Sequence, residues 1–364
     1  MSFETTVATK PLAAAAVRLA RLLPARAMQP AQTAVLVRVA ADRLVLAAAG
    51  GELSAEVGVP ATGHAPGEVV VARHALADTL ASLDAPEVGL AVEGSRLAIR
   101  TSGARFALPA LDDAARPALA PPPARVGTVA GAALAGAAAV CGAASRDGAL
   151  PLFTGVRVRS TDGRLSLMAT DRYRMAAATV PLRGSGEVAA LVPAVLLAEM
   201  CRQAGRAETV EVRADAGRIG LAWAGSTVVA ASLAGPYPDQ QLDRLLDVAP
   251  ECTVEVEADA LSAAVERAQP YAGPQGRVAL CAHDGAVEVR GRDPLHGESE
   301  ETVKASVRGD HLTAHFQGRF LLDALRPFAG RTVTMRVQAG LRATAFTMPD
   351  ADLTYLVVPM HADD

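Results

Sequence analysis

The side chains best suited to chemistry in this chain are two histidines four apart, His311 and His315, and four cysteines, Cys141, Cys201, Cys252 and Cys281. On a helix, two imidazoles at that spacing share one face and can grip zinc. The segment HLTAHF reads instead as a strand or the approach to one, where i and i+4 lie far apart, so no metal site is expected. The cysteines are scattered without CxxC spacing, as reduced and mostly buried thiols are. GxxxxGK[ST] is absent, and neither lysine, Lys10 or Lys304, sits in a glycine loop. GxSxG, HExxH, GxGxxG and the EF-hand pattern are absent too. No nucleophile–base pair emerges. The chain is expected to be no enzyme and to need no cofactor.

What remains is arginine, which supplies every basic side chain apart from the two lysines. Basic and acidic residues number 11 and 11 in residues 1–124, 13 and 11 in 125–250, and 11 and 17 in 251–364. The overall −4 therefore comes from the last third, and a nucleic-acid role would not be read from net charge alone. The 51% hydrophobic content is largely alanine, and no run approaches the 18 large apolar residues of a membrane span. The start, MSFETTVATK, has an acidic residue and no apolar core, unlike a signal peptide. A soluble protein of the cytoplasm, with no membrane partner, is expected.

The elements that must position these arginines occur three times, at intervals of about 120 residues, too long for a solenoid repeat. Each third begins with an alanine-rich helix: 11–23, 131–141 and 260–268. A strand pair follows (AVLVRVAADRLVLAA, FTGVRVRSTDGRLSLMA, GRVALCAHDGAVEVRG), then a second helix (ARHALADTLASL, VPAVLLAEMCRQAG, QGRFLLDALRPFAG) and another alternating pair. In the first helix Leu12, Ala15, Ala16, Leu19 and Leu23 form the apolar stripe, with Arg18 and Arg21 off it. Asp162-Gly163 is a strong hairpin signal. Residues 112–127, with four prolines, and 235–251, rich in Pro, Gly and Asp, read as linkers. The chain is thus an α+β protein of three repeated domains, at 1–120, 127–248 and 252–364.

Four segments carry a resemblance: ATDRYRMA (169–176), YPDQQLDRLL (237–246), FLLDAL (320–325) and YLVVPM (355–360). In this order and spacing, with the triplication, the chain resembles the bacterial sliding clamp, the β subunit of DNA polymerase III. The resemblance implies three clamp domains, each with two helices on antiparallel sheets. Two copies would close into a six-domain ring around double-stranded DNA, without sequence preference. It also implies a pocket for short QLxLF-like peptides of the polymerase III α subunit, other polymerases, the clamp loader and repair proteins.

Carried onto this sequence, the pocket walls are Phe153, Thr170, Arg172, Tyr173, Arg174 and Met175, then Pro238, Leu245 and Leu246, and finally Leu356, Val357, Val358, Pro359 and Met360. DNA contacts fall to Arg18, Arg21, Arg26, Arg73, Arg146, Arg202 and Arg206. The homodimer joins Arg96, Arg105, Phe106 and Leu108 of one copy to Pro270, Tyr271, Glu298, Glu300 and Glu301 of the other. Three features depart from the pattern: VPAVLL (192–197) lacks basic residues after its proline, the 237–250 loop is longer and more acidic, and HADD follows the final PM. They leave open a divergent clamp paralogue, a partner-binding scaffold for repair or for toxin or antibiotic resistance.

Overall fold

The computed structural model describes residues 3–23, 29–40, 42–247 and 249–361. They form two compact units, one of residues 1–135 and 182–232, the other of 136–181 and 233–364. The threefold repeat of the sequence is therefore not the grouping of the packing. The middle third is shared between the units, because sheets run on across repeat boundaries. Strand Ser226–Ala231 pairs antiparallel with Leu53–Pro60 of the first third, and Arg174–Pro181 pairs with Ala351–Val357 of the last.

In the first unit, helix Thr9–Leu22 buries Leu12, Ala15, Ala16, Leu19 and Leu22. Alanine has the highest helix propensity and its small side chain allows close packing. This helix packs on Arg73–Ala81 and on Ala194–Ala204. Beneath lie an eight-stranded sheet running from Arg125–Ala130 to Gly67–Ala72 and a five-stranded sheet ending at Arg105–Pro109. The proline-rich stretch read as a free linker folds back on this unit. Ala115 is buried with Leu111 and Leu119 against Leu36 and Val70, and Arg116 reaches Glu68 at 2.6 Å.

The second unit carries a continuous antiparallel sheet in which Gly155–Thr161, Arg164–Thr170, Arg174–Pro181 and Ala351–Val357 are successive neighbours. Helices Ala258–Ala268 and Gly318–Leu325 pack against each other and bury Leu261, Val265, Phe320 and Leu321. Asp162 and Gly163 take φ of 50° and 71°, the left-handed pair that closes a two-residue hairpin with the natural strand twist. The other expected linker, 235–251, contains a helix, Asp239–Leu245. Pro238 precedes it, Asp239 favours its first turn, and Leu242 supplies a buried anchor. The helix expected at 131–141 is α-helical only over Gly131–Ala137 and continues as a 3-10 turn, Ala138–Ala143.

Candidate functional site

In the second unit the four sequence segments converge. Strands Arg174–Pro181 and Ala351–Val357 are neighbours, with Met175 opposite Leu356 and Arg174 opposite Val357. Met168, Met175, Leu242, Ala345 and Leu356 form one apolar cluster, flanked by the half-buried Ala177, Tyr237, Leu246 and Ala343. Leu242 reaches it from the 239–245 helix, which two ion pairs fasten to strand Gly155–Thr161: Arg157–Asp239 at 3.0 Å and Arg159–Asp243 at 2.5 Å. Phe153 lies against Tyr237, ring centroids 6.5 Å apart. Burial pushes the Tyr237 hydroxyl pKa up, so the phenol is neutral.

The turn 171–173 is held from four sides. Thr170 Oγ1 donates to the Arg174 carbonyl (2.7 Å) and accepts from the Arg172 amide (3.0 Å). Asp171 Oδ1 accepts from the amides of Tyr173 (3.1 Å) and Arg174 (3.0 Å). This network keeps Arg172 at φ +80°, a conformation costly for a side-chain-bearing residue. Buried Arg174 binds Asp171 (2.9 Å) and Asp323, and its guanidinium lies 4.7 Å from the Phe320 ring centre. Tyr173, 58% exposed, stacks on the other side chain of this pair, Phe320, at 6.1 Å. Together with Arg146, Arg319 and Phe153 these residues line a cleft of about 300 Å³.

Of the expected pocket residues, Thr170, Arg174, Met175, Leu356, Val357 and Pro359 are buried, while Phe153, Pro238, Leu246 and Met360 are half-buried. Arg172, Tyr173 and Val358 are exposed. Leu245 is 50% exposed and stands outside the apolar cluster; Leu242, three residues earlier, takes that place. Sequence reasoning missed Leu242, Met168, Tyr237 and Phe320. The spacing of Leu242, Leu245 and Leu246, i, i+3 and i+4, was the available signal for a helix there.

The first unit gathers part of the expected DNA surface. Gln203 Nε2 donates to the Arg18 carbonyl at 3.1 Å, tying helices Thr9–Leu22 and Ala194–Ala204 together. Arg202 makes a two-pronged contact with Glu199 (2.7 and 2.5 Å), and this bond first, with Arg21 adding to it, holds Glu199 below the usual carboxylate range. Arg21, Arg202 and Arg206 are exposed and Arg18 half-exposed. Arg73 departs from expectation: it opens helix Arg73–Ala81 at 1% exposure, where desolvation lowers its pKa, so it offers no phosphate contact. Arg146 lines the cleft beside Tyr173. Arg26 lies outside the described residues.

For the expected dimer contact, Arg105–Pro109 is an edge strand among the described residues, with Phe106 38% exposed and Leu108 half-buried. Pro270 is exposed and Tyr271 half-buried. The ionic partners are occupied within the chain. Arg105 meets Glu93 (2.5 Å), while Glu301, Glu300 and Glu298 meet Arg267 (2.6 Å), Arg290 (3.4 Å) and Arg292 (4.0 Å).

Residues 1–120, 136–239 and 244–361 match the N-terminal, central and C-terminal domains of the DNA polymerase III β subunit. The chain belongs to that family. It is 29% identical over 365 residues to the beta sliding clamp of Streptomyces coelicolor, covering 96% of each chain. It is 28% identical over 312 residues to the beta sliding clamp homolog GriR of Streptomyces muensis, covering 84% of this chain and 83% of that one. Its fold matches a sliding clamp from Pseudomonas aeruginosa, solved bound to griselimycin, with a TM-score of 0.91 at 21% identity over 99% and 100% of the two chains. Three clamp domains with helices on antiparallel sheets are the family architecture, and the chain has it. Among the described residues no helix is long and apolar enough to cross a membrane.

Proposed function

We propose that this sliding-clamp chain acts as a non-catalytic processivity subunit in the cytoplasm, two copies closing head to tail around double-stranded DNA. Arg18, Arg21 and Arg202 on the two helices, with Arg206 in the turn after the second, supply phosphate attraction without base readout, which permits sliding. Glu199 moderates that attraction by engaging Arg202. The apolar contact of Phe106 and Leu108 with Pro270 and Tyr271 carries the dimer, and the rim charges, of which Arg105, Glu298, Glu300 and Glu301 are already paired within each copy, set register. The second-unit cluster takes the apolar anchors of partner peptides from the polymerase III α subunit, other polymerases, the clamp loader and repair proteins.

The observation that carries this reading is the meeting of Met175, Leu242 and Leu356, from three distant segments, with the half-buried Tyr237 and Leu246 packed against them. An apolar pocket with a few fixed polar groups is what short-peptide capture requires. Primer extension with the cognate polymerase and loader tests it: long products that depend on this protein are expected, and distributive synthesis in its presence would refute it. The second reading, a paralogue serving as a partner scaffold, draws on the likeness to GriR and on Ala194 and Val195, where VPAVLL offers no basic side chain. Peptide binding without stimulated synthesis is its signature.

A further inference from the structure

The sheets of the two units join neighbouring repeats in matching register. Arg43 lies opposite Pro60 in the first unit and Arg164 opposite Pro181 in the second. Two residues further in, Val45 faces Gly58 in one and Ser166 faces Thr179 in the other. Across the repeat boundary Val57 faces Ser226 and Ala178 faces Leu353, so Gly225 holds the place of Asp352. Arg164 binds both side chains there, Thr179 Oγ1 (2.6 and 3.2 Å) and Asp352. Arg43 meets glycine at both places. Its guanidinium lies over Gly58, where a Cβ would collide with Nη2, and it has no carboxylate within 4.0 Å among the described residues.

Arg43 stands in a groove of about 720 Å³ on the first-unit sheet, lined also by the small or apolar Val45, Ala222, Gly225 and Thr227. Four charged side chains line it. Two are engaged, Arg38 with Glu68 at 3.8 Å and Glu211 with Arg213 at 2.7 Å. That leaves one cation, Arg43, and one anion, Glu56, without an ionic partner among the described residues. The second unit has Ala177 where the first has Glu56. Glu56 precedes Gly58 by two residues on strand Leu53–Pro60, so the guanidinium over Gly58 is one same-face step, about 7 Å, along the strand from it. Glycine inside a strand marks a place where a ligand or a second backbone comes close. Guanidiniums take carboxylates by paired, charge-assisted hydrogen bonds.

We propose that this first-unit groove docks an extended segment of a partner protein that carries an acidic and a basic side chain two residues apart. The acid stands in for the carboxylate that Asp352 gives Arg164 in the second unit, and the base pairs with Glu56. An extended chain repeats its side chains on one face at the same step of about 7 Å that separates the two sites. The small residues of the floor let its backbone lie close to the sheet. The inference uses no residue of the proposed second-unit pocket, so either can fail alone.

The test uses the full-length protein and fluorescent Ser- and Thr-rich peptides, one with Asp and Lys two residues apart and one with Asn and Gln in their place. Anisotropy at low salt is expected to show the charged peptide binding about 10-fold more tightly, the size of a charge-assisted contact. That ratio should fall toward about 2 in half-molar salt as screening shortens the field. Arg43→Gln with Glu56→Gln should abolish the difference. Arg43→Glu should invert the preference, taking a peptide with Lys at both positions over the Asp–Lys one, a gain that misfolding does not produce. Equal binding of the charged and neutral peptides to wild type, or binding of neither, would overturn the proposal. So would loss of the charged peptide in Pro359→Ala with Met360→Ala but not in the Arg43 variants, which would assign it to the second-unit pocket.

Discussion

Arg174, in the second unit, is buried between Asp171 and Asp323 with a ring beneath it. Arg202, in the first, stands in solvent with a single partner, Glu199. The two arginines illustrate how differently the proposed peptide site and the proposed DNA surface are built. The proposed peptide site is assembled from four segments spread over nearly 200 residues, and its Thr170 and Asp171 oxygens are hydrogen-bonded within the chain. The helix surface is a set of long, exposed side chains on two helices that touch. A site that must reject wrong anchors needs fixed geometry. A surface that must glide needs only charge at roughly the right height, and rigid contacts would hinder movement.

If that contrast is right, removing one group should unfold or disable the second unit and barely register in the first. Arg174→Ala strips the partner from two carboxylates at a buried position, and a loss of about 3 kcal/mol or more in urea unfolding is expected. A loss below about 1 kcal/mol, the range of an exposed pair, would show that this arginine is not a structural post. Pro359→Ala with Met360→Ala removes apolar wall from the pocket without touching Arg174. Partner-peptide affinity should drop by about 1–3 kcal/mol by titration calorimetry, with little change in unfolding. Unchanged affinity would move the pocket elsewhere.

Arg172→Gly sharpens the comparison in the opposite direction, since glycine adopts φ +80° freely. Native stability is expected to rise by about 0.5 kcal/mol in urea unfolding, the release of turn strain less the added freedom of the unfolded chain. The smallest effect belongs to the first unit. Arg21→Ala should reduce the slope of log binding against log salt by about 1, and buried Arg73→Met should leave that slope alone. A slope lowered equally by both would return Arg73 to the DNA surface.

The triplication, the hairpins and the apolar helix stripes were legible in the sequence because short-range periodicity and turn chemistry set them, as at Leu12–Leu19 and Asp162-Gly163. The grouping into two compact units was not, since strand pairing such as Ser226 with Val57 depends on sheet edges that no local pattern reveals. The pocket segments were named through resemblance; the structure buries Leu242 in the apolar cluster with Leu246 against it and leaves Leu245 half in solvent, a distinction that depends on the rotation of the 239–245 helix. Arg73 misled for a related reason. It was assigned by resemblance alone, and its 1% exposure at the start of Arg73–Ala81 depends on tertiary packing that no local pattern reveals. The acidic run 298–301 looked free for a partner copy, but the facing arginines of its own sheet and helix are close enough to engage it.

Everything proposed for the two regions presumes a closed ring, in which one surface slides while the other holds a partner. The most direct test loads the protein onto a primed circular DNA with its clamp loader, isolates the complex, and measures retention before and after a single restriction cut. Retention on the closed circle and rapid loss once ends are available is the predicted result. Equal retention on circular and linear DNA would contradict encirclement and leave only a surface-bound protein.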